Sequence, residues 1–87
     1  MNNMNMIIIG NTHELKCQTK FYQLTEKGIK NFEIRKNDRN FKVGDYVSLI
    51  EVVGEVETGR KLLNLEIRYI FNGGAYGLDS DYVILQF

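Results

Sequence analysis

Apolar and polar residues alternate with period two in several short runs of this chain, the pattern of half-buried β-strands. Over residues 31–36, Phe32 and Ile34 fall on one face and Glu33 and Arg35 on the other. Over 13–17, His13, Leu15 and Cys17 share a face. Residues 46–53 are rich in strand formers and follow Val43-Gly44-Asp45, which reads as a tight turn. Residues 62–71 alternate throughout, with Leu63, Leu65, Ile67, Tyr69 and Phe71 on one face. The last two runs predict an antiparallel hairpin across a charged turn at 54–59. Residues 82–87 predict a final strand, after a loop at 72–77 that three glycines make flexible.

One segment carries a helical pattern. Over 19–27, Phe21, Tyr22 and Leu24 supply an apolar side, with Thr19 placed to cap the start. Lys27 suits a helix C-terminus, and Gly28 sits where a terminating glycine belongs. The count is five or six strands and one main helix. This predicts a mainly β, α+β domain: a small curved sheet or partly closed barrel with the helix across one opening. Residues 13–87 form that single domain. Residues 1–12 form a short, partly frayed N-terminal segment, in which 6–9 reads equally as a short strand or a disordered start.

Charge changes the picture by its distribution. The 87-residue chain has a formal net charge of zero, which argues against a strongly basic, non-specific nucleic-acid binder. Residues 27–42 nevertheless hold Lys27, Lys30, Arg35, Lys36, Arg39 and Lys42 against only Glu33 and Asp38, and the remainder is acidic to the same extent. A locally basic patch on a neutral protein can meet phosphate. One cysteine excludes an internal disulfide framework and suits a reducing, cytoplasmic setting. One histidine and one cysteine cannot build a Cys/His zinc cage, and no run approaches the ~20 apolar residues of a membrane span. No cofactor is implied.

The spacing Gly28-x-Lys30-x-x-Glu33-x-Arg35, followed by Val43-Gly44-Asp45, resembles the ASCH domain of the PUA-like superfamily. The longer run from Phe32 through Arg35-Lys36-Asn37-Asp38-Arg39 and Phe41 to Asp45 looks like one small subgroup, common in bacteria and their phages. His13-Glu14-Leu15-Lys16, Thr58-Gly59-Arg60 and Gly77-Leu78 with Tyr82-Val83-Ile84-Leu85 match it too, so the resemblance covers residues 13–87. It implies a PUA-like pseudo-barrel, a cleft beside the helix and the Lys30–Arg35 segment, and an association with RNA. Some ASCH relatives are amidohydrolases of acylated cytidine that use a Lys, a Thr three residues later and a distant Glu. Lys30 matches the Lys, but Glu33 stands at the Thr position.

The resulting expectation is binding of RNA or a nucleotide-containing ligand. Lys30 would contact phosphate or polarise a carbonyl. Glu33 would pair with Arg35 and present its planar fork to phosphate or a base edge. Arg39, in the Asn37-Asp38-Arg39 turn, would add a phosphate contact. His13 and Lys16 are secondary members, His13 as a base-edge partner or acid–base group. Tyr76, in the glycine loop, is the aromatic placed to stack on an unpaired base, while Cys17 reads as core. Two alternatives stay open: an amidohydrolase of acylated nucleosides using Lys30 and Glu33, and a bacterial or phage protein-interaction module.

Overall fold

A computed structural model of the protein describes residues 10–87, so the 6–9 run lies outside the described residues. Six strands and one helix follow in the order β1 (Thr12–Gln18), α1 (Thr19–Glu26), β2 (Phe32–Lys36), β3 (Tyr46–Val53), β4 (Val56–Glu66), β5 (Tyr69–Asn72) and β6 (Tyr82–Gln86). The architecture is α+β and mainly β. The strands form two three-stranded sheets, ordered β1-β3-β4 and β2-β6-β5. Among the described residues, only β1 and β3 pair in parallel. Parallel neighbours need a long crossover, and α1 with β2 supplies it.

The helix ends as its sequence predicts. Lys27 is the C-cap and Gly28 takes φ 75°, the left-handed conformation that glycine adopts without strain. Its start differs from expectation. Gln18 is the N-cap and makes no side-chain capping bond, while the Thr19 hydroxyl donates to the Glu51 carboxylate at 2.6 Å. A buried carboxylate accepts that hydroxyl more strongly than a solvated helix end competes for it.

The hairpin forms between β3 and β4, but its turn is only Gly54-Glu55, since Val53 already pairs with Val56. Gly54 takes φ 63° at the first turn position, which a type II′ hairpin gives to glycine. Gln18 holds this turn with both ends of its amide, donating to the Gly54 carbonyl and accepting from the Gly54 N–H. Two register shifts interrupt the β3–β4 pairing, and on β4 Gly59 and Asn64 both have positive φ. Each irregularity resets which face a side chain takes. The alternation over 62–71 is therefore not one strand: it breaks at Ile67-Arg68, and β5 joins the second sheet.

That break organises the molecule. The chain running from β4 into β5 links the sheets on one side. On the other, the free edges of β1 and β2 face each other. Between the sheets lies the core of Leu15, Cys17, Tyr22, Val47, Leu49 and Leu85, with Phe41, Ile67 and Val83. Six consecutive β3 residues, Val47 to Val52, are buried because this strand is flanked on both edges and covered by α1. In β2 the burial is inverted relative to ordinary patterning. Glu33 is 4% exposed, while Ile34 on the opposite face is 51% exposed.

The loop from β5 to β6 is held tightly. Gly73 and Gly74 donate to the Tyr82 and Leu78 carbonyls at 2.8 Å. A Cβ on Gly73 would lie 1.8 Å from the Asp79 carbonyl oxygen and 2.6 Å from that of Tyr82. Gly73→Ala is therefore expected to destabilise the protein by about 1–3 kcal/mol, as overpacking against backbone does. The measurement is the urea midpoint; an unchanged midpoint would show that the loop yields freely.

Candidate functional site: the groove between α1 and β2

Lys30 follows the glycine stop of α1 and reaches back over the start of β2. Its ammonium donates to Glu33 Oε2 at 2.6 Å and to the Phe32 carbonyl at 2.5 Å. Arg35 grips the other carboxylate oxygen through Nε at 3.0 Å and Nη2 at 2.8 Å. The Cys17 thiol of β1 points at Glu33 Oε2 from 3.8 Å. One buried carboxylate thus gathers two cations and a thiol. Two cations against one carboxylate leave the cluster one positive charge in excess.

Arg35 also spans the seam between the sheets, donating from Nη2 to the Lys16 carbonyl at 2.6 Å. Arg39 repeats the contact further along, from Nη1 to the Glu14 carbonyl at 2.7 Å. Both carbonyls belong to β1, whose other edge pairs with β3. The two arginines occupy acceptors that a seventh strand would otherwise take, and they close the ring of strands with side chains where no ladder exists.

The expected site residues therefore divide. Lys30, Glu33 and Arg35 come together in one cluster. Arg39 lies beside Arg35 in a smaller cleft of about 140 Å³, with Lys36, Asp38, Leu15 and Phe41. Lys16 contributes its carbonyl. His13 is elsewhere, buried against the Phe41 ring with Nε2 2.8 Å from Asp45 Oδ2. Cys17 is in the core as expected; burial foremost, and then the neighbouring Glu33 carboxylate, push its thiol up to about 11. At neutral pH it is a protonated thiol and no nucleophile.

A groove of about 490 Å³ opens over the Lys30–Glu33 pair. Phe21 and Leu24 of α1 form one wall, Phe32 and Ile34 of β2 the other, and Ile29 the rim, 71% exposed. Lys30 Nζ lies 5.6 Å from the Phe21 ring centroid and 5.0 Å from that of Phe32, within cation–π range of both. The expected site rested on the Glu33 and Arg35 face of this strand, whereas the groove walls come from the Phe32 and Ile34 face. The signal was present: a strand with Glu and Arg on one face and Phe and Ile on the other permits either side to face in.

Two further carboxylates hold the frame. Asp45 accepts the Asn11 and Lys42 backbone N–H groups at 3.0 and 3.1 Å as well as the His13 contact. Burial acts to raise its pKa, but these hydrogen bonds outweigh it and hold the carboxyl below the ordinary aspartate value. Glu51 accepts the Thr19 and Thr58 hydroxyls, both at 2.6 Å, which hold its carboxyl below its ordinary value too. A lone glutamate inside an apolar strand was the sequence signal for such a tie. Among the described residues, no group of three or more His, Cys, Asp or Glu side chains is arranged to hold a metal ion, and no helix is long and apolar enough to cross a membrane.

Residues 12–87 match the family described as "Domain of unknown function (DUF3850)", and the chain belongs to that family. It is similar to an Escherichia phage P2 protein described as "Uncharacterized 12.9 kDa protein in GpA 3'region", with 42% identity over 55 residues. The matched segment is 63% of this chain, and the chain spans about half the length of that relative.

Two outcomes follow for stability. Glu33→Ala leaves Lys30 and Arg35 without their carboxylate and is expected to cost about 3–5 kcal/mol, whereas Ile34→Ala on the exposed face stays within about 0.5 kcal/mol. Urea denaturation of both variants reads the difference, and equal losses would show that β2 does not turn its charges inward. Asp45, with its pKa depressed in the fold, contributes stability above the ordinary value of 3.8 and loses it as pH falls through the folded value. The advantage of the wild type over Asp45→Asn is therefore expected to be constant at neutral pH and to shrink below 3.8, followed by denaturation at stepped pH.

Proposed function

We propose that this protein binds RNA or a nucleotide-containing ligand, with the α1–β2 groove receiving an unpaired base. The observation that carries this reading is the groove itself. It combines two phenylalanine walls with a single polar pair, Lys30 and Glu33, at its base. A nucleobase has the matching chemistry: two flat apolar faces and a polar edge. Phe21 and Phe32 offer stacking surfaces, and Lys30 offers a cation to a base carbonyl or a phosphate.

The ASCH and PUA-like resemblance supports the same reading. Its cleft falls beside the helix and the Lys30–Arg35 segment, where this groove lies, and six strands in two edge-facing sheets suit a pseudo-barrel. Binding is preferred to amide hydrolysis because Glu33 stands where the amidohydrolase relatives carry threonine, and Lys30 is a charge-paired ammonium. Arg35 and Arg39 each commit a donor to β1, so they add charge near the groove more than free hydrogen bonds. About two phosphates neutralised on a single strand would give a log–log salt slope near −1.4.

The test is an amide-shift NMR titration with uridine and cytidine monophosphates and with a stem-loop RNA. Shifts are expected over residues 21–35, weakened about 5- to 100-fold by Phe21→Ala. The absence of shifts at millimolar nucleotide and with RNA would overturn the reading.

A further inference from the structure

The outer face of the second sheet repeats the chemistry of the groove on a larger scale. Register places Phe32, Gln86 and Tyr69 in one row across β2, β6 and β5, and Ile34, Ile84 and Phe71 in the next. Lys36 and Tyr82 begin a third. Cross-strand partners in an antiparallel sheet share a face, so these rows form one surface. It is the solvent side: the alternate residues Glu33, Val83 and Leu85 are buried, while Phe32, Ile34, Tyr69 and Tyr82 are each more than a third exposed. Phe21 and Leu24 of α1 stand across the groove from its β2 edge.

Tyr76 extends the surface. The residue is 96% exposed, its ring lies 6.1 Å from that of Phe71, and its backbone takes φ 54°. A non-glycine residue in the left-handed region is uncommon, and here a hydrogen-bonded loop holds it there. The hydrogen bonds of Gly73, Gly74 and Leu78 fix that loop.

We infer that this face is a stacking platform for consecutive bases of single-stranded RNA, continuing the strand whose first base occupies the α1–β2 groove. The inference rests on the proposed function and extends it from one nucleotide to a run. Three observations choose this occupant over an apolar protein surface. The exposed groups are mainly rings, which stack on any base irrespective of sequence. The rows contain no carboxylate, and Lys36 stands on this face at the end of β2, so the charge on the face suits a polyanion. Consecutive rows are two residues apart, about 7 Å, the reach of one extended nucleotide. Glu33, which lines the adjoining groove, is paired with Lys30 and Arg35, and Asp79 and Asp81 lie in the turn before β6, where Asp79 is tied to the Asp81 N–H.

The experiment measures anisotropy of labelled oligouridylates of one to about six nucleotides, alongside NMR titration with uridine monophosphate. Affinity is expected to rise at least about tenfold from the shortest to the longest. Tyr69→Ala and Tyr82→Ala should each weaken the longest by about 5- to 100-fold, and Tyr69→Phe should retain it. Neither alanine variant should change monophosphate shifts in the groove, and unchanged thermal melts confirm folding. Length-independent affinity, with no effect of the tyrosine variants, would overturn the platform and leave the groove reading standing. Absence of binding by monophosphate and oligomer alike would overturn both. A wild-type dimer in sedimentation that Tyr69→Ala converts to monomer would assign the face to a second copy and overturn the platform.

Discussion

The Glu33 carboxylate is the interaction on which the rest of this structure depends. It sits at the seam where two three-stranded sheets meet without a backbone ladder, and it is almost fully buried. Its two oxygens hold Lys30 and Arg35, and Arg35 in turn takes the Lys16 carbonyl of the facing strand. A buried carboxylate is unfavourable alone, and its partners must be in place before burial is tolerated. The ion cluster therefore ties the end of the helix, the second strand and the first strand to a single geometry.

That commitment has a consequence on the far side of β2. A strand can turn only one face inward, so drawing in Glu33 and Arg35 turns out Phe32 and Ile34. The apolar groove and the aromatic outer face are the other half of the same choice. In most small domains the inward face of a strand is the apolar one. Here an edge strand carries its ion pair to a seam that needs side-chain donors, because the β1 carbonyls there have no partner strand. The surface thereby left exposed is the apolar and aromatic one.

Much of the framework was legible in the residues. The helix and its glycine stop, the β3 strand, the β3–β4 hairpin and the last strand each rest on local signals: a left-handed glycine after Lys27, a turn before Tyr46, and alternation with period two. The readings that shifted were those that a distant group decides. Thr19 looked like a cap until Glu51 offered its hydroxyl a buried acceptor. The alternation over 62–71 looked continuous because periodicity does not register a change of sheet, and Asn64 with φ 59° resets the faces before the break. His13 and Arg35 looked like members of one site, but His13 is drawn to Asp45 and Arg35 to Glu33.

The sequence by itself determined the element types, the single-helix, mainly β class and the motif that gathers Lys30, Glu33 and Arg35, because these depend on neighbours within a few positions. Only the tertiary structure decided which face of β2 is buried, where β4 yields to β5, and that the first and second strands meet edge to edge. Alternation states that a strand has two faces and leaves both assignments open. The choice fell to the pairing of Glu33 with cations and of arginines with β1 carbonyls, contacts that exist only once the sheets have come together.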